Sequence, residues 1–316
     1  MMKRTTLVTC TIAAACFPAP MLMGQSESLS PQATLAETSI STHAESDHGC
    51  MLLCGGSLLP QTILDAFHER GGGVQGQLVI IPTASPRSDL GDFTIWKSMW
   101  NGQKWNSIRV VHALDREAAS NEPLLDSIRS ASAVWIAGGD QQRLVDRYLG
   151  TPVHTELQNV LNRGGIIGGT SAGAAIASRT MIAGGVTLPT LTEGWSLLPG
   201  MIIDQHFSQR GRFERLAHAV ERFPDRVGIG IDEATGILLN REGMQVLGSG
   251  SVYLVRSQSN KDFSHSIPAE QLGLVPMQFE GLKTSRHKSG SRLPIDRWNR
   301  MVTRTNNVEF ADAKNE

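Results

Sequence analysis

From Cys50 onward, short uninterrupted apolar runs alternate with amphipathic segments, and this alternation limits the fold more than any other feature of the chain. The runs are Cys50–Cys54 (CMLLC), Gln77–Ile81 (QLVII), Ser107–His112, Ala133–Ala137 (AVWIA) and Gly165-Ile166-Ile167. Helical patterns at Gln61–Arg70, Phe93–Trp100 and Leu124–Ser130 fall between them. Strands apolar on both faces need cover on both faces, and strand–helix–strand order makes neighbouring strands parallel. The expected fold is therefore α/β, a mostly parallel sheet covered by helices on both faces. Ligand-binding loops in such sheets gather at the carboxyl ends of the strands. Those ends carry Gly55-Gly56, Pro82-Thr83-Ala84-Ser85, Gly138-Gly139-Asp140-Gln141 and the turn after Gly168-Gly169. Later runs at Val227–Ile231, Ile237–Asn240, Gln245–Leu247 and Val252–Val255 predict antiparallel edge strands, and Phe207–Phe223 reads as one helix.

The ends differ from this pattern. Lys3 and Arg4 precede the small, apolar stretch Thr5–Cys16, which falls short of the ~20 apolar residues a membrane span needs. Residues 1–24 read as a signal peptide and 25–48 as a polar linker. Export to a periplasm or the exterior is the expectation, with no span left in the mature chain and cytoplasmic residence still open. Ala14-Ala15-Cys16 is a poor lipobox, because no leucine stands three residues before the cysteine. The α/β domain covers 49–258, and 259–316 reads as a C-terminal extension partly associated with it.

Composition excludes several roles. Lys and Arg number 29 against 30 Asp and Glu, without the basic excess of a nucleic-acid surface. Cys50 and Cys54 lie four apart on one strand, ~13 Å along it, too far for a disulfide between them. The histidines are scattered and no metal-ligand spacing occurs, so neither a metal nor a cofactor is expected. Gly138-Gly139 lacks the spacing of a dinucleotide loop, and Gly71-Gly72-Gly73 follows a helix and reads as a connector.

Gly169-Thr170-Ser171-Ala172-Gly173 is a G-x-S-x-G element between a strand and a helix of small residues. Its glycines let strand and helix crowd together behind an exposed hydroxyl, and the helix directs N–H groups at charge developing there. A serine hydroxyl needs a base, and the base needs an orienting group. His206, in Ile203-Asp204-Gln205-His206-Phe207 after the apolar run Met201-Ile202-Ile203, is the best base; His112 and His154 are competitors. The orienting acid is Glu233 or Asp232, which follow the strand ending at Ile231. The order Ser–His–acid differs from the ordinary α/β-hydrolase order, in which the acid precedes the histidine. Arg210-x-Arg212-x-x-Arg215 follows the histidine at once, and arginine forks there imply a substrate bearing carboxylates.

Together, Gly138-Gly139-Asp140-Gln141, Gly169–Ala174, Asp204-Gln205-His206-Phe207 with the three arginines, and Ile231-Asp232-Glu233 resemble the cyanophycinases, serine peptidases related to bacterial aspartyl dipeptidases. The resemblance runs from about Cys50 to Val255. It implies a flavodoxin-like sheet akin to the glutamine amidotransferases. It also implies a triad of Ser171, His206 and Glu233, and an oxyanion hole from the backbone N–H groups of Gly139 and Ala172. Gln141, Asp204, Gln205, Arg210, Arg212 and Arg215 match positions that line the family's substrate pocket. The implied substrate is cyanophycin, cut to β-Asp-Arg dipeptides, or another aspartate-containing peptide, and a homodimer is implied as well. The alternatives are an exported aspartyl or isoaspartyl dipeptidase with the same triad, and a non-catalytic carboxylate-binding protein. The stretch between Ser171 and His206, with Gly184–Pro189 in it, is short for the family.

Overall fold

The computed structural model describes residues 49–240, 242–258 and 281–294. The expectations for residues 1–24 and 25–48, and for most of 259–316, lie outside them. Five parallel strands form the centre: β1 (Cys50–Cys54), β2 (Gln77–Ile81), β3 (Ser107–Val110), β4 (Ala133–Ile136) and β5 (Ile166–Thr170). Their order across the sheet is β1-β5-β4-β2-β3. β10 (Thr235–Asn240), β11 (Gly243–Gly248) and β14 (Arg292–Pro294) extend it antiparallel beyond β1. The antiparallel edge expected late in the chain is thus present, and residues 292–294 of the C-terminal extension complete it.

Alternation along the central strands builds two cores. Met51, Leu53, Val79, Ile81, Val134, Ile136 and Ile167 face one way, into the larger cluster. Leu52, Leu78, Ile80, Trp135 and Ile166 face the other, where Phe67 and Trp100 cover them. α1 (Gln61–Arg70) and α2 (Thr94–Ser98) belong to this second side. α3 (Glu122–Arg129), α4 (Gln141–Tyr148), α5 (Pro152–Asn162) and α6 (Ala172–Ala175) belong to the first. In α4 Leu144 and Tyr148, and in α5 Val153, Leu157 and Val160, are buried at helical spacing. Each also carries an end signal: Asp140 Oδ1 accepts from Gln142 N at 2.8 Å, and Pro152 opens α5.

A second sheet was not legible. β8 (Met201–Gln205), β9 (Val227–Ile231), β12 (Ser251–Ser257) and β13 (Leu282–Lys288) form it in the order β13-β12-β9-β8, with β8 and β9 parallel. One face, with Ile203, Ile229 and Leu254, joins the main core. The other, with Ile202, Tyr253 and Val255, is covered by α7 (Phe213–Arg222). Nor does the sequence pattern mark the hairpin of β6 (Thr180–Gly184) and β7 (Thr190–Glu193). The single helix expected over Phe207–Phe223 is broken: Ser208–Arg210 make a 3-10 turn, Gly211 turns left-handed at φ +59°, and only then does α7 begin. Among the described residues no helix is long and apolar enough to cross a membrane.

Candidate active site

The serine turn forms where β5 and α6 meet at close quarters. A side chain at Gly173 would run into the Ile136 carbonyl at 2.2 Å, so only glycine lets α6 lie this close to β4. Ser171 sits between them at φ +53°, ψ −113°, a conformation that costs about 1–3 kcal/mol for a non-glycine residue. Its N–H donates to Cys54 O at 3.0 Å, which pins the turn to the end of β1.

His206 reaches this serine from the end of β8. Its Nε2 lies 3.1 Å from Ser171 Oγ and its Nδ1 2.6 Å from Glu233 Oε1. The imidazole is therefore flanked by a hydroxyl on one side and a carboxylate on the other. Burial is the largest influence on its pKa and lowers it, with the charges of Arg210 and Arg212 acting the same way and Glu233 opposing. The ring is thus neutral, and ready to accept a proton, at neutral pH. His206 is itself left-handed at φ +49°, and its N–H donates to Gly55 O at 2.7 Å. Gly56 lies against the ring: a Cβ there would fall 2.2 Å from Cε1. Gly56 is a site residue that motif reading did not single out, although its place at the end of β1 is the available signal.

The two acids after β9 separate cleanly. Glu233 faces the imidazole, and its N–H donates to Gln209 Oε1 at 3.0 Å. Asp232 is buried, accepting from Ser208 N and Ser251 N at 3.0 Å each, so it braces the loop beside the histidine. The competing histidines are engaged elsewhere. His112 Nδ1 is 2.9 Å from Thr83 Oγ1, and His154 Nε2 is 2.7 Å from Trp195 O.

Ala172 follows the serine directly, and Gly138, next to Gly139, lies against it: a Cβ at Gly138 would fall 3.3 Å from Ser171 Cβ. Among the described residues neither the Gly139 N–H nor the Ala172 N–H has a hydrogen-bond acceptor, and Ala172 opens α6. Gly139, at φ +146°, lies against Ala84, whose carbonyl accepts from Asp140 N at 2.9 Å. That carbonyl belongs to the Pro82–Ser85 loop, which a charged latch holds in place. Asp89 accepts from Arg143 at 2.8 and 2.9 Å and from Arg147 at 3.0 and 3.2 Å, while Arg143 Nε donates to Thr83 O at 3.0 Å. Hydrogen bonds from Arg147 first, then Arg143, hold the Asp89 carboxyl well below the usual carboxylate range.

The structure places the expected substrate-lining residues at different depths. Asp204 is fully buried at 0% exposure and Arg215 is at 4%, so neither is open to a substrate. They close on each other, and Arg215 Nη1 also donates to Gly185 O at 2.7 Å. Gln141 spends its amide on Ile182 O and Ala183 O at 2.9 and 3.1 Å. Gln205 Oε1 accepts from Arg212 Nη1 at 2.7 Å, and burial is the main reason the half-buried Arg212 has its pKa lowered to about 10. Arg210 alone of the three arginines is exposed, with no side-chain partner among the described residues. The physical reason is the break after His206, which sends the three side chains to different depths. Among the described residues no group of three His, Cys, Asp or Glu side chains could hold a metal ion, and Cys50 and Cys54 are free and buried.

The family model of peptidase family S51 matches residues 51–247. A cyanophycinase of Synechococcus elongatus is 32% identical over 263 residues, covering 78% of this chain and 81% of that protein. One of Trichormus variabilis is 34% identical over 249 residues, covering 75% and 79%. Among solved structures, a peptidase from an acI-B1 Actinobacterium shares the fold at TM-score 0.59 and 20% identity, over 78% of this chain and 97% of that one.

Proposed function

This chain belongs to peptidase family S51 and is a serine-type peptidase; we propose that Ser171, His206 and Glu233 carry the reaction and that its substrate is cyanophycin. The observation that carries the catalytic half is the continuous contact from Ser171 Oγ through the neutral His206 ring to Glu233. His206 Nε2 takes the hydroxyl proton as Oγ attacks the scissile carbonyl. Glu233 holds the ring by Nδ1 and stabilises the imidazolium that forms. The N–H groups of Gly139 and Ala172 meet the oxyanion, each such donor being worth ~3 kcal/mol. His206 then returns its proton to the departing amine, and water repeats the sequence on the acyl-enzyme. The cyanophycinase relatives and the exposed Arg210 beside the histidine support a polyaspartate backbone carrying arginine, whose free arginine carboxylates a guanidinium can fork. The basic, then apolar N-terminal stretch supports action outside the cytoplasm.

The test is to incubate the protein and its Ser171→Ala variant with cyanophycin, with β-aspartyl-arginine and with α-aspartyl dipeptides. Release of β-aspartyl-arginine from the polymer by the unaltered protein alone is the expected result. Cleavage confined to dipeptides would replace the polymer with a dipeptidase activity. Equal release by both proteins would remove Ser171 from the reaction.

A further inference from the structure

The antiparallel edge of the main sheet carries a cavity of its own. Leu238, Gln245 and Arg292 stand in one row across β10, β11 and β14, and two residues further along Asn240 stands opposite Gly243. Alternate residues of a strand share a face, and this is the face α1 covers, since Leu238 packs with Ile63 and Phe67. Gly243 adds no side chain there, and Arg70 closes the row from the last turn of α1. The space left is about 370 Å³, within the range of small-ligand sites. It is remote from the serine. Ser171 is pinned to Cys54, which pairs with Gly236, and Asn240 lies four residues along β10 from there, ~13 Å away. The lining is charged but unpaired. Arg70 and Arg292 are both exposed, and neither guanidinium has an ion-pair or hydrogen-bond partner among the described residues. Glu242 is exposed at the same cavity, and its N–H donates to Asn240 Oδ1 at 3.0 Å, which leaves the Asn240 amide nitrogen to donate.

We propose that this cavity is an accessory site that holds a segment of the polymer away from the serine. Arg70 and Arg292 fork its free carboxylates, the aliphatic stem of an arginine side chain lies over Leu238, and the guanidinium at its end meets Glu242. Charge complementarity selects this occupant. Two unpaired guanidiniums call for carboxylates, whereas a compact inorganic anion would leave the apolar floor empty and be repelled by Glu242. A chain in which carboxylates and arginine side chains alternate supplies every partner the lining lacks. The inference rests on the cyanophycin substrate proposed above.

It is tested first by binding, so that the two readings fail separately. Ser171→Ala, and the same variant carrying Arg70→Ser and Arg292→Ser, are passed over immobilised cyanophycin, with thermal melting as the check on folding. The expected result is about tenfold weaker capture without the two arginines, and about threefold weaker capture when Ser171→Ala carries Glu242→Gln instead. Equal capture by all three would overturn the proposal. Inorganic phosphate and free β-aspartyl-arginine serve as competitors. Displacement by phosphate as effective as by the dipeptide would reduce the cavity to a simple anion site and overturn the polymer assignment. Dipeptide binding as tight as that of the polymer would make it a product site and overturn it equally. In the cleaving protein, Arg70→Ser with Arg292→Ser should raise KM for cyanophycin about tenfold more than KM for a short β-aspartyl-arginine oligomer. Parallel rises would mean that the arginines act through the active site, against the proposal. Absence of cleavage by the unaltered chain would overturn the proposed function, while the difference in capture would still report on the cavity.

Discussion

Arg215 Nε donates to Asp204 Oδ2 at 2.7 Å and its Nη2 to Asp204 Oδ1 at 2.5 Å, and this buried fork holds α7 to the strand that presents His206. A carboxylate and a guanidinium taken from water repay their desolvation only as a pair with nearly ideal geometry. Asp204→Ala leaves Arg215 charged and unpaired inside the protein, so it should cost about 3–5 kcal/mol of stability. Asp204→Leu combined with Arg215→Met should cost less, because Arg215's buried charge is gone too and only the half-buried Arg212, 3.5 Å from Asp204, loses a carboxylate. Urea unfolding of both variants checks this, and equal losses would show that packing rather than charge decides.

The base gives a pH signature. Burial lowers the His206 pKa below its ordinary 6.5, so kcat/KM should rise with pH through a midpoint below 6.5 and then stay flat. The same shift makes stability rise with pH. The unfolded chain binds this proton at 6.5 and the native one only at lower pH, so the contribution is complete above 6.5 and is lost as pH falls toward the native pKa. Glu233→Gln removes two influences that raise the His206 pKa. The acidic limb should then move to still lower pH, with kcat reduced roughly 10²–10⁴-fold. A limb that stays in place would separate Glu233 from the titrating imidazole.

Carboxylate recognition should follow exposure. Arg210→Ala is expected to raise KM for substrates with a free carboxylate near the scissile bond by about tenfold, with little effect on their amidated counterparts. Steady-state kinetics on matched pairs measures this. Losses of the same size on both would assign Arg210 a structural task.

Gly56→Ala should damage activity without unfolding the domain. The added methyl meets the His206 ring, and Gly56 sits at φ +114°, where an L-residue is strained by about 1–3 kcal/mol. The imidazole must move, so kcat should fall by more than about tenfold, since small misplacements of a base are costly. Circular dichroism together with kcat checks this, and an unchanged kcat would mean that the ring does not depend on Gly56.

Much of this was readable in the chain, for identifiable reasons. β1, β2 and β9 and the helix α1 coincide with their predicted segments, because apolar runs and a 3.6-residue stripe report burial through local order alone. The serine turn was legible because its glycines answer a local demand for close packing. α4 and α5 were not predicted, although Leu144 with Tyr148 and Val153 with Leu157 and Val160 stand at helical spacing; these short stripes are interrupted by the polar and charged residues around them. The second sheet was missed because pairing β8 with β9, and β9 with β12, is a choice among apolar runs that look alike. The helix expected over Phe207–Phe223 failed at Gly211, where a backbone turn overrode an otherwise helical pattern.

The sequence by itself determined which chemistry is carried and in what order: serine, histidine, acid, and arginines following the base. Such groups are recognisable by type and spacing along the chain. Only the tertiary structure decided how the polar groups are shared out. Glu233 goes to the imidazole, Asp232 to two backbone N–H groups, and Asp204 to Arg215, so that Arg210 alone of the three arginines is left exposed. Hydrogen bonds and ion pairs are satisfied across space by whichever partner burial brings within about 3 Å, and that choice is not written in any local stretch of chain.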